Sequence, residues 1–369
     1  MFLDILLYIF IGIIVLQFAY YIGVFSIFTF KKAAKGSSVA PAVSVIVCAK
    51  NEAENVKQLI PELLNQNYND FEIILIDDAS SDETLQIFES FRKKSSKINI
   101  VKVKNNEAFW GNKKYALTLG IKTAKKPYLL FIDADCVPNS QNWIHEMSTH
   151  FTEKQSIILG YGKYKKISKS LLNKVIRYET LITAIQYFSW ARLGKPYMGV
   201  GRNLAYAQSE FYKVNGFIDH MNVRSGDDDL FINQAATNKN TTICYTLDSF
   251  TISEPKTTFK SWYTQKRRHV STAEHYNLFD KIQLAIFYCI NVLFFVFAII
   301  LLATQHQWQL VTALIVFRYV FCWIAIGNGA AKLHEKDILY VYPLLEIILL
   351  TTQFTVFINN TFSKPVHWK

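Results

Sequence analysis

Two aspartates that follow an apolar segment, Asp133 and Asp135, have the type and spacing of ligands for a hard divalent cation. They come directly after residues 128–132, so both carboxylates can turn toward one point where that segment ends. Mg²⁺ or Mn²⁺ held by one or two carboxylates keeps coordination sites for substrate phosphates, and it neutralises the charge of a departing diphosphate. The alternative is a simple turn before Pro138, because aspartate is common in turns.

A second acidic segment ends another apolar run. Asp77 and Asp78 follow residues 73–76, and Asp82 comes four residues after Asp78. Asp82 or Ser81 can cap the helix that follows, but capping does not account for two adjacent aspartates. We predict that one of that pair accepts hydrogen bonds from a nucleobase or a ribose.

Three consecutive aspartates, Asp227, Asp228 and Asp229, follow Gly226. Like charges this close raise the pKa of at least one carboxyl group if any is desolvated, which favours a role as general base. An exposed helix N-terminus is the alternative, because the helix dipole stabilises carboxylates there. The residues alone leave both interpretations open.

A basic segment precedes the second long apolar stretch. Gln265 and Arg268 are three residues apart and share one helical face, from which they could bind a donor diphosphate or an acceptor. Lys266 and Arg267 are predicted to be a solvated positive flank beside the membrane.

The first third of the chain alternates short apolar runs with polar-faced helical stretches. This alternation predicts an α/β domain with a parallel sheet, whose ligands bind beyond the carboxyl ends of the strands. The first two acidic segments lie at such ends. The predicted strands are residues 43–48, 72–76, 98–104 and 128–132, and the predicted helices are residues 51–65, 82–95, 111–124 and 170–192.

Four long apolar stretches predict an integral membrane protein, because each is near or above the roughly 20 residues that cross a hydrocarbon core. They are residues 1–30, 282–303, 309–328 and 338–358. Basic residues after the first stretch and before the second place the central domain in the cytoplasm, with both termini outside. Lys364 and Lys369 in the tail do not fit this orientation.

The predicted organisation is an N-terminal anchor, a folded domain, a basic interfacial helix and three further transmembrane helices, at residues 1–30, 40–255, 256–280 and 281–360. Arg318 and Glu346 lie at equal distances before and after Lys332, deep in the third and fourth apolar stretches. Ionisable residues in a membrane normally face a partner, so we predict that these two pair. The alternative is that each snorkels separately or faces another span.

The net charge of +11 does not indicate nucleic acid as a partner, because no basic run is interleaved with aromatic residues as in a binding module. Attraction to a membrane surface explains the charge more simply. The five cysteines lie far apart, without a C-x-x-C pair or a Cys/His cluster, which argues against zinc and against a disulfide framework.

Five segments, in this order, resemble the motifs of family 2 glycosyltransferases, whose fold is named GT-A. They are V-S-V-I-V-C-A-K-N-E at 43–52, I-D-D-A-S-S-D at 76–82, D-A-D at 133–135, G-D-D at 226–228 and Q-K-R-R at 265–268. Five ordered motifs are more specific than any one of them. The resemblance covers about residues 40–270, and it implies a Rossmann-like, mostly parallel sheet.

The resemblance also implies roles for single residues near the donor. Ala49, Asn51 and Glu52 would line the nucleotide pocket, Asp78 would contact the base, and Lys113 matches a lysine near the nucleotide. Asp135 would be the direct metal ligand and Asp133 a ligand of both donor and metal. Asp228 would be the catalytic base if Gly226 anchors the alignment, and Asp227 would take that role if Leu230 anchors it.

The function implied is metal-dependent, inverting transfer of a sugar from a UDP- or GDP-sugar to a lipid or lipid-linked glycan at the cytoplasmic face of a bacterial inner membrane. Residues 199–206 are similar to the segment that floors the family's donor and acceptor sites. Two positions depart from the family: Asn112 replaces a glycine, and His269 stands where polymerising members carry tryptophan. The alternatives are a processive polysaccharide synthase and a non-catalytic membrane scaffold that still binds a nucleotide sugar.

Overall fold

A computed structural model describes residues 1–32, 36–37, 40–104, 113–223 and 225–363. These residues form two compact units. The sheet unit contains the described residues between 36 and 173 together with Gly194–Trp262. The membrane unit contains Met1–Lys32, Lys174–Leu193 and the described chain from Tyr263 onward.

The sheet unit is built on a seven-stranded sheet in the order β3-β2-β1-β4-β8-β6-β9. The sheet is mostly parallel, and β8 runs antiparallel to both of its neighbours. The strands of the described chain are β1 (Val43–Ala49), β2 (Phe71–Asp78), β3 (Ile98–Val103), β4 (Tyr128–Phe131), β5 (Cys136–Pro138), β6 (Ile157–Leu159), β7 (Gly162–Tyr164), β8 (Leu204–Ala207), β9 (Thr241–Ile243) and β10 (Thr251–Ser253).

The four predicted strands are confirmed as β1 to β4. Every residue of β2 is buried, as expected for a strand covered on both faces of a parallel sheet. The prediction missed β6, β8 and β9, which have only three or four residues each. Runs this short carry no periodicity. The same is true of the second sheet, β5-β10-β7.

The helices follow the predicted order. They are α1 (Phe2–Thr29), α2 (Ala53–Leu64), α3 (Thr84–Arg92), α4 (Lys113–Thr123), α5 (Trp143–Ser148), α6 (Leu171–Arg192), α7 (Gln208–Lys213), α8 (Asp229–Ala235), α9 (Phe259–Thr272), α10 (Leu278–Ala303), α11 (Trp308–Lys332) and α12 (Tyr342–Phe362). The predicted start of α4 at residues 111–112 lies outside the described residues.

Four helical segments are long and apolar enough to cross a membrane: α1, α10, α11 and the segment Lys336–Phe362 that contains α12. Helices α1 and α10 run antiparallel. His306, just after α10, lies 3.1 Å from Asp4 near the start of α1, and Tyr20 donates to Gln283 at 2.8 Å nearer the other end. Lys332, the last residue of α11, donates to the carbonyl of Phe28 at 2.7 Å.

The predicted pairing of Arg318 with Glu346 is confirmed. Arg318 Nη1 donates to Glu346 Oε2 at 2.7 Å, and Arg318 Nη2 also bonds the other carboxylate oxygen. Neutral acceptors complete the shell, since Arg318 also donates to Asn291 Oδ1 at 3.0 Å and to Gln17 Oε1 at 3.3 Å. Arg318 is completely buried. The pair therefore joins α11 to α12, and the neutral acceptors extend the network to α1 and α10.

Reversing one charge of this pair should reduce the yield of folded protein. Arg318→Glu places two carboxylates together without water, and breaking a buried ion pair costs about 3–5 kcal/mol. Adding Glu346→Arg restores opposite charges and should recover much of the yield, measured as monodisperse protein in detergent. Equal losses in the single and double variants would show that the two charges do not depend on each other.

Candidate active site

Asn51 ties the loop after β1 to the loop after β2. Its backbone has a left-handed φ of 56°, which asparagine tolerates better than most residues. Its side-chain oxygen accepts from the backbone N–H of Ser81 at 2.8 Å, and its own N–H donates to Ser80 Oγ at 3.1 Å. These bonds hold the loop after β1 against the loop after β2.

Asp82 supports the same junction. Its carboxylate accepts from the backbone N–H of Thr84 at 3.0 Å, close to the start of α3, and from the N–H of Ala53 at the start of α2, at 3.1 Å. The N-cap residue of α3 is Glu83, so Asp82 lies one residue before the predicted cap position, but its carboxylate still accepts from the first N–H of the helix. Its two bonds orient the starts of both helices beside the strand ends.

The residues predicted to line a nucleotide pocket lie together at these loops. Ala49 ends β1 and is paired in register with Asp77 of β2, and Asn51 and Glu52 follow in the loop. Asp78 ends β2 and is buried. Burial raises the pKa of Asp78, and the adjacent Asp77 adds to the rise, while the ammonium group of Lys50 opposes it. A partly desolvated carboxyl group of this kind gains from a hydrogen-bond donor on a bound ligand.

Lys113 joins two of the acidic segments. Its ammonium group lies 2.9 Å from Asp133 Oδ1 and 2.9 Å from Asp227 Oδ2. Burial alone would favour the neutral amine, but the carboxylates of Asp133 and Asp227 outweigh it and hold the pKa of Lys113 well above its ordinary value. A permanent positive charge therefore stands between the strand end of β4 and the start of α8.

Asp228 has a different environment from its neighbour Asp227. Its Oδ2 accepts from the backbone N–H of Gly201 at 2.6 Å, and its Oδ1 accepts from the N–H of Asp229 at the start of α8. Burial raises the pKa of Asp228, and the carboxylates of Asp227 and Asp229 add to the rise, which brings it to about 7. Lys113 lowers the pKa of Asp227 instead, against the effect of burial.

Two glycines make this arrangement possible. Gly226 has a φ of +90°, and a Cβ there would lie 2.5 Å from Leu230 Cδ1. A Cβ on Gly201 would lie 3.2 Å from the Asp228 carboxylate. The glycine at 201 thus lets the backbone N–H approach the carboxylate closely. Asp228 does cap α8, as the alternative interpretation required, but a cap does not require the partial burial of Asp228 or its bond to Gly201.

Asp133 and Asp135 fit a divalent cation. Their carboxylate oxygens lie within 4.8 Å of each other and of Cys136 Sγ. The Cys136 sulfur lies 2.9 Å from Ser253 Oγ, and a soft thiol sulfur is a less suitable ligand than oxygen for Mg²⁺ or Mn²⁺. The remaining donors are oxygens, which Mg²⁺ and Mn²⁺ prefer. Asp135 is exposed and Asp133 is partly buried.

One pocket is lined by Lys113, Asp133, Gly201, Asp227 and Asp228. The structure therefore brings together the lysine, one strand-end aspartate and two of the three consecutive aspartates. These residues are far apart in the sequence and converge at the strand ends. The pocket thus places the positive charge of Lys113 near a carboxyl group, that of Asp228, whose pKa is raised to about 7.

Lys114 and Arg202 were not predicted from the sequence. Lys114 is buried, and its ammonium group donates to the carbonyls of His220 and Val223 at 2.7 and 2.9 Å, which anchors the segment before the three aspartates. Arg202 stacks on the ring of Tyr164 at 4.4 Å. The only signal for Lys114 was a second lysine beside Lys113, and a doubled lysine ordinarily indicates a solvated surface.

Gln265 and Arg268 lie on α9, in the membrane unit, and their approach to the donor stays a prediction. The prediction for their neighbours was wrong: Lys266 and Arg267 are not a solvated flank. Lys266 pairs with Glu179 of α6 at 2.7 Å, and Arg267 donates to Asn360 near the end of α12 at 2.9 Å. Polar partners on other helices were available, and partial burial strengthens such bonds.

Residues 44–225 match the family model described as Glycosyl transferase family 2. An uncharacterized glycosyltransferase of Haemophilus influenzae is 35% identical over 127 residues, which are 34% of this chain and 38% of the relative. The cholesterol galactosyltransferase of Borreliella burgdorferi is 39% identical over 93 residues, 25% of each chain. The chain therefore spans less than half the length of these curated relatives.

A solved structure, the mannosyltransferase PcManGT of Pyrobaculum calidifontis in complex with GDP-Man and Mn²⁺, is similar over 95% of this chain and 98% of its own. The TM-score is 0.56 and the sequence identity is 14%. At this identity the likeness concerns the fold alone, and it extends over both the sheet-forming and the apolar helical parts of the sequence.

Proposed function

We propose that this chain is a family 2 glycosyltransferase, as the match of residues 44–225 and the shared fold support, and that it transfers a sugar from a nucleotide-sugar donor to a lipid or lipid-linked glycan. The observation that carries the proposal is the pocket in which Lys113, Asp133, Asp227 and Asp228 meet. We place this reaction at the cytoplasmic face of a bacterial inner membrane, as the distribution of basic residues favours.

The donor is proposed to be a UDP- or GDP-sugar. Its nucleoside would lie on the joined loops after β1 and β2, where Ala49, Asn51 and Glu52 lie beside Asp78. Support comes from the bonds of Asn51 to Ser80 and Ser81, which fix the loop that would receive the base.

Asp135 and Asp133 would hold Mg²⁺ or Mn²⁺ at the end of β4. When bound, the cation supplies positive charge that stabilises the diphosphate as it leaves. Lys113 is proposed to support the same leaving group from the pocket side, because its two carboxylate partners keep it charged.

Asp228 is proposed as the general base, in preference to Asp227. Asp227 is committed to Lys113, whereas the pKa of Asp228 near 7 suits proton transfer at neutral pH. The acceptor hydroxyl gives its proton to Asp228 and attacks the anomeric carbon, forming the glycosidic bond. The bond from that carbon to the diphosphate oxygen breaks on the opposite side, which inverts the configuration.

A lipid or lipid-linked acceptor is favoured by the membrane unit and by the relative named a cholesterol galactosyltransferase. Gln265 and Arg268 on α9, the helix that precedes α10, are proposed to bind the donor diphosphate or the acceptor. His269, in place of the tryptophan of polymerising members, favours a single transfer over processive synthesis.

Titration of the purified protein with UDP and with GDP, each with and without Mn²⁺, tests the donor and metal proposals. We expect one nucleotide to bind at least about tenfold more tightly with Mn²⁺, because Asp133 and Asp135 would hold a cation whose charge attracts the diphosphate. Hydrolysis of a panel of nucleotide sugars in detergent then identifies the sugar. If nucleotide affinity is the same with and without Mn²⁺ and no donor is hydrolysed, the result would favour the non-catalytic scaffold.

A further inference from the structure

The ends of three helices in the membrane unit lie at one level, here called the proximal end. Helices α1 and α11 both end there, because Lys332 donates to the carbonyl of Phe28. Helix α10 begins there, since it runs antiparallel to α1. Thr304 and the turn that follows it lie at the opposite, distal end.

The buried Arg318 network marks a depth in this unit. Asn291 lies about halfway along α10, which has 26 residues, and Arg318 lies about halfway along α11, which has 25 residues. At about 1.5 Å per helical residue, both are about 20 Å from the proximal end. Glu346 bonds Arg318 directly, so it lies at the same depth.

The C-terminal end of α12 is bonded to α9. Arg267 Nε donates to Asn360 Oδ1 at 2.9 Å, and its Nη2 donates to the carbonyl of Asn359 at 3.2 Å and to that of Ser363. Asn360 Nδ2 returns a bond to the carbonyl of Arg267 at 2.8 Å. An arginine that donates to the last carbonyls of a helix is a C-terminal cap.

The length of the chain between Arg267 and the start of α10 limits how far from the proximal end this cap can lie. Asn360 follows Glu346 by about four helical turns, so it would lie about 40 Å from the proximal end if α12 continued across the membrane. The chain between Arg267 and Leu278 is short, and it consists mainly of the end of α9 and the short helix Ala273–His275. Such a path spans at most about 25 Å. Arg267 therefore cannot reach the distal end, so α12 does not complete a crossing. Lys266 beside it pairs with Glu179 of α6, and Arg177 on the same helix pairs with Glu335, just after the end of α11, which favours a position of the capped end near the proximal end.

The residues of α12 agree with a return path. Residues 351–362 read T-T-Q-F-T-V-F-I-N-N-T-F, and a crossing helix would carry this mostly polar series through the distal leaflet at a cost. The tail residues Lys364 and Lys369 are basic, as is typical of the cytoplasmic side. One face of α12 is buried, and the other is apolar and exposed through Leu344, Ile347, Phe354, Phe357 and Ile358.

We propose that the segment Lys336–Phe362 is re-entrant: it rises from the proximal end to the depth of Arg318, and α12 then returns to the proximal end. Its exposed apolar face is a surface for the acyl chains of the proximal leaflet. The described chain thus crosses the membrane three times, and the end of α12 at Phe362 lies on the same side as the loop between α11 and α12. This departs from the four spans expected from apolar length.

Accessibility of single cysteines to a membrane-impermeant maleimide tests the proposal in the full-length protein in intact and permeabilised cells. Ser363→Cys reports on the end of α12, Lys336→Cys on the proximal end and Gln305→Cys on the distal end. Ser363→Cys should be labelled under the same condition as Lys336→Cys and under the opposite condition to Gln305→Cys. The unsubstituted chain gives the background from its five native cysteines.

Labelling of Ser363→Cys together with Gln305→Cys would overturn the proposal and restore a fourth span. If Ser363→Cys is shielded in both conditions, Lys369→Cys in the tail gives the same decision. The comparison needs no assumption about which face is cytoplasmic, and it does not depend on catalysis, so it is separate from the proposed transfer reaction.

Discussion

Asp228→Asn should reduce kcat by about 10²–10⁴-fold, the usual contribution of a general base, while the donor binds with little change. Asparagine keeps one side-chain oxygen for the N–H of Gly201, but its amide nitrogen cannot accept from the N–H of Asp229 as the second carboxylate oxygen does. The side chain keeps its size and place, and part of the α8 cap is lost. Asparagine cannot take a proton from the acceptor hydroxyl. A base acts in the chemical step and adds little to ground-state binding.

The pH dependence of the unsubstituted enzyme provides a second measurement of the same group. Asp228 must be ionised to accept a proton, and its pKa is about 7 because of burial and the carboxylates of Asp227 and Asp229. The rate constant kcat/KM should therefore rise with pH through about 7 and level off above it. The rise should be absent from the residual activity of Asp228→Asn.

Two matched variants separate this role from charge and from folding. Asp219→Asn changes an exposed aspartate that accepts from Gln234, and it should keep the full kcat. Asp227→Asn removes a partner of Lys113, and it should weaken donor binding as well as turnover. If Asp227→Asn loses only kcat while Asp228→Asn stays active, the base is Asp227 and the alignment is displaced by one residue.

Sequence patterns predicted the parts of the fold that are long. Residues 73–76 of strand β2 are an unbroken apolar run followed directly by two aspartates, so both the burial of this run and the position of Asp78 followed from the sequence pattern. The pairing of Arg318 with Glu346 followed from equal counts on each side of Lys332. In both cases a regular element, a strand or a helix, has a fixed rise per residue, so the number of a residue predicts where it lies along that element.

What the sequence could not predict depends on bonds between distant residues. The backbone N–H of Gly201 donates to the Asp228 carboxylate. The two residues are 27 positions apart, and no sequence pattern predicts that they meet. In the sequence, Arg267 is one of several adjacent basic residues. In the structure it caps the C-terminal end of α12, a helix separated from it in the chain by α10 and α11. The number of apolar residues in α12 likewise indicates that the helix is long enough to span a membrane. Only the bonds between its last turn and Arg267 indicate where its end lies.

Asp135→Ala should abolish transfer and should remove the effect of Mn²⁺ on nucleotide binding. A metal ion supplies several kcal/mol of charge stabilisation, which corresponds to a loss of about 10³-fold or more in rate. The domain should stay folded, because Asp135 is exposed at the end of a strand and contributes little to the core. Thermal unfolding without metal should therefore occur within about 2 °C of the unsubstituted protein, as for a typical surface substitution.

The matched control is Glu153→Ala, which removes another exposed carboxylate of the sheet unit and should leave both transfer and the Mn²⁺ effect unchanged. Asp133→Ala is less selective, because Asp133 also holds Lys113 at 2.9 Å, so its loss should weaken nucleotide binding even without metal. The contrast between the two aspartates distinguishes a ligand from a residue that positions Lys113. Full activity in Asp135→Ala, with Mn²⁺ still tightening nucleotide binding, would place the metal elsewhere and leave Asp135 as a turn residue before Pro138.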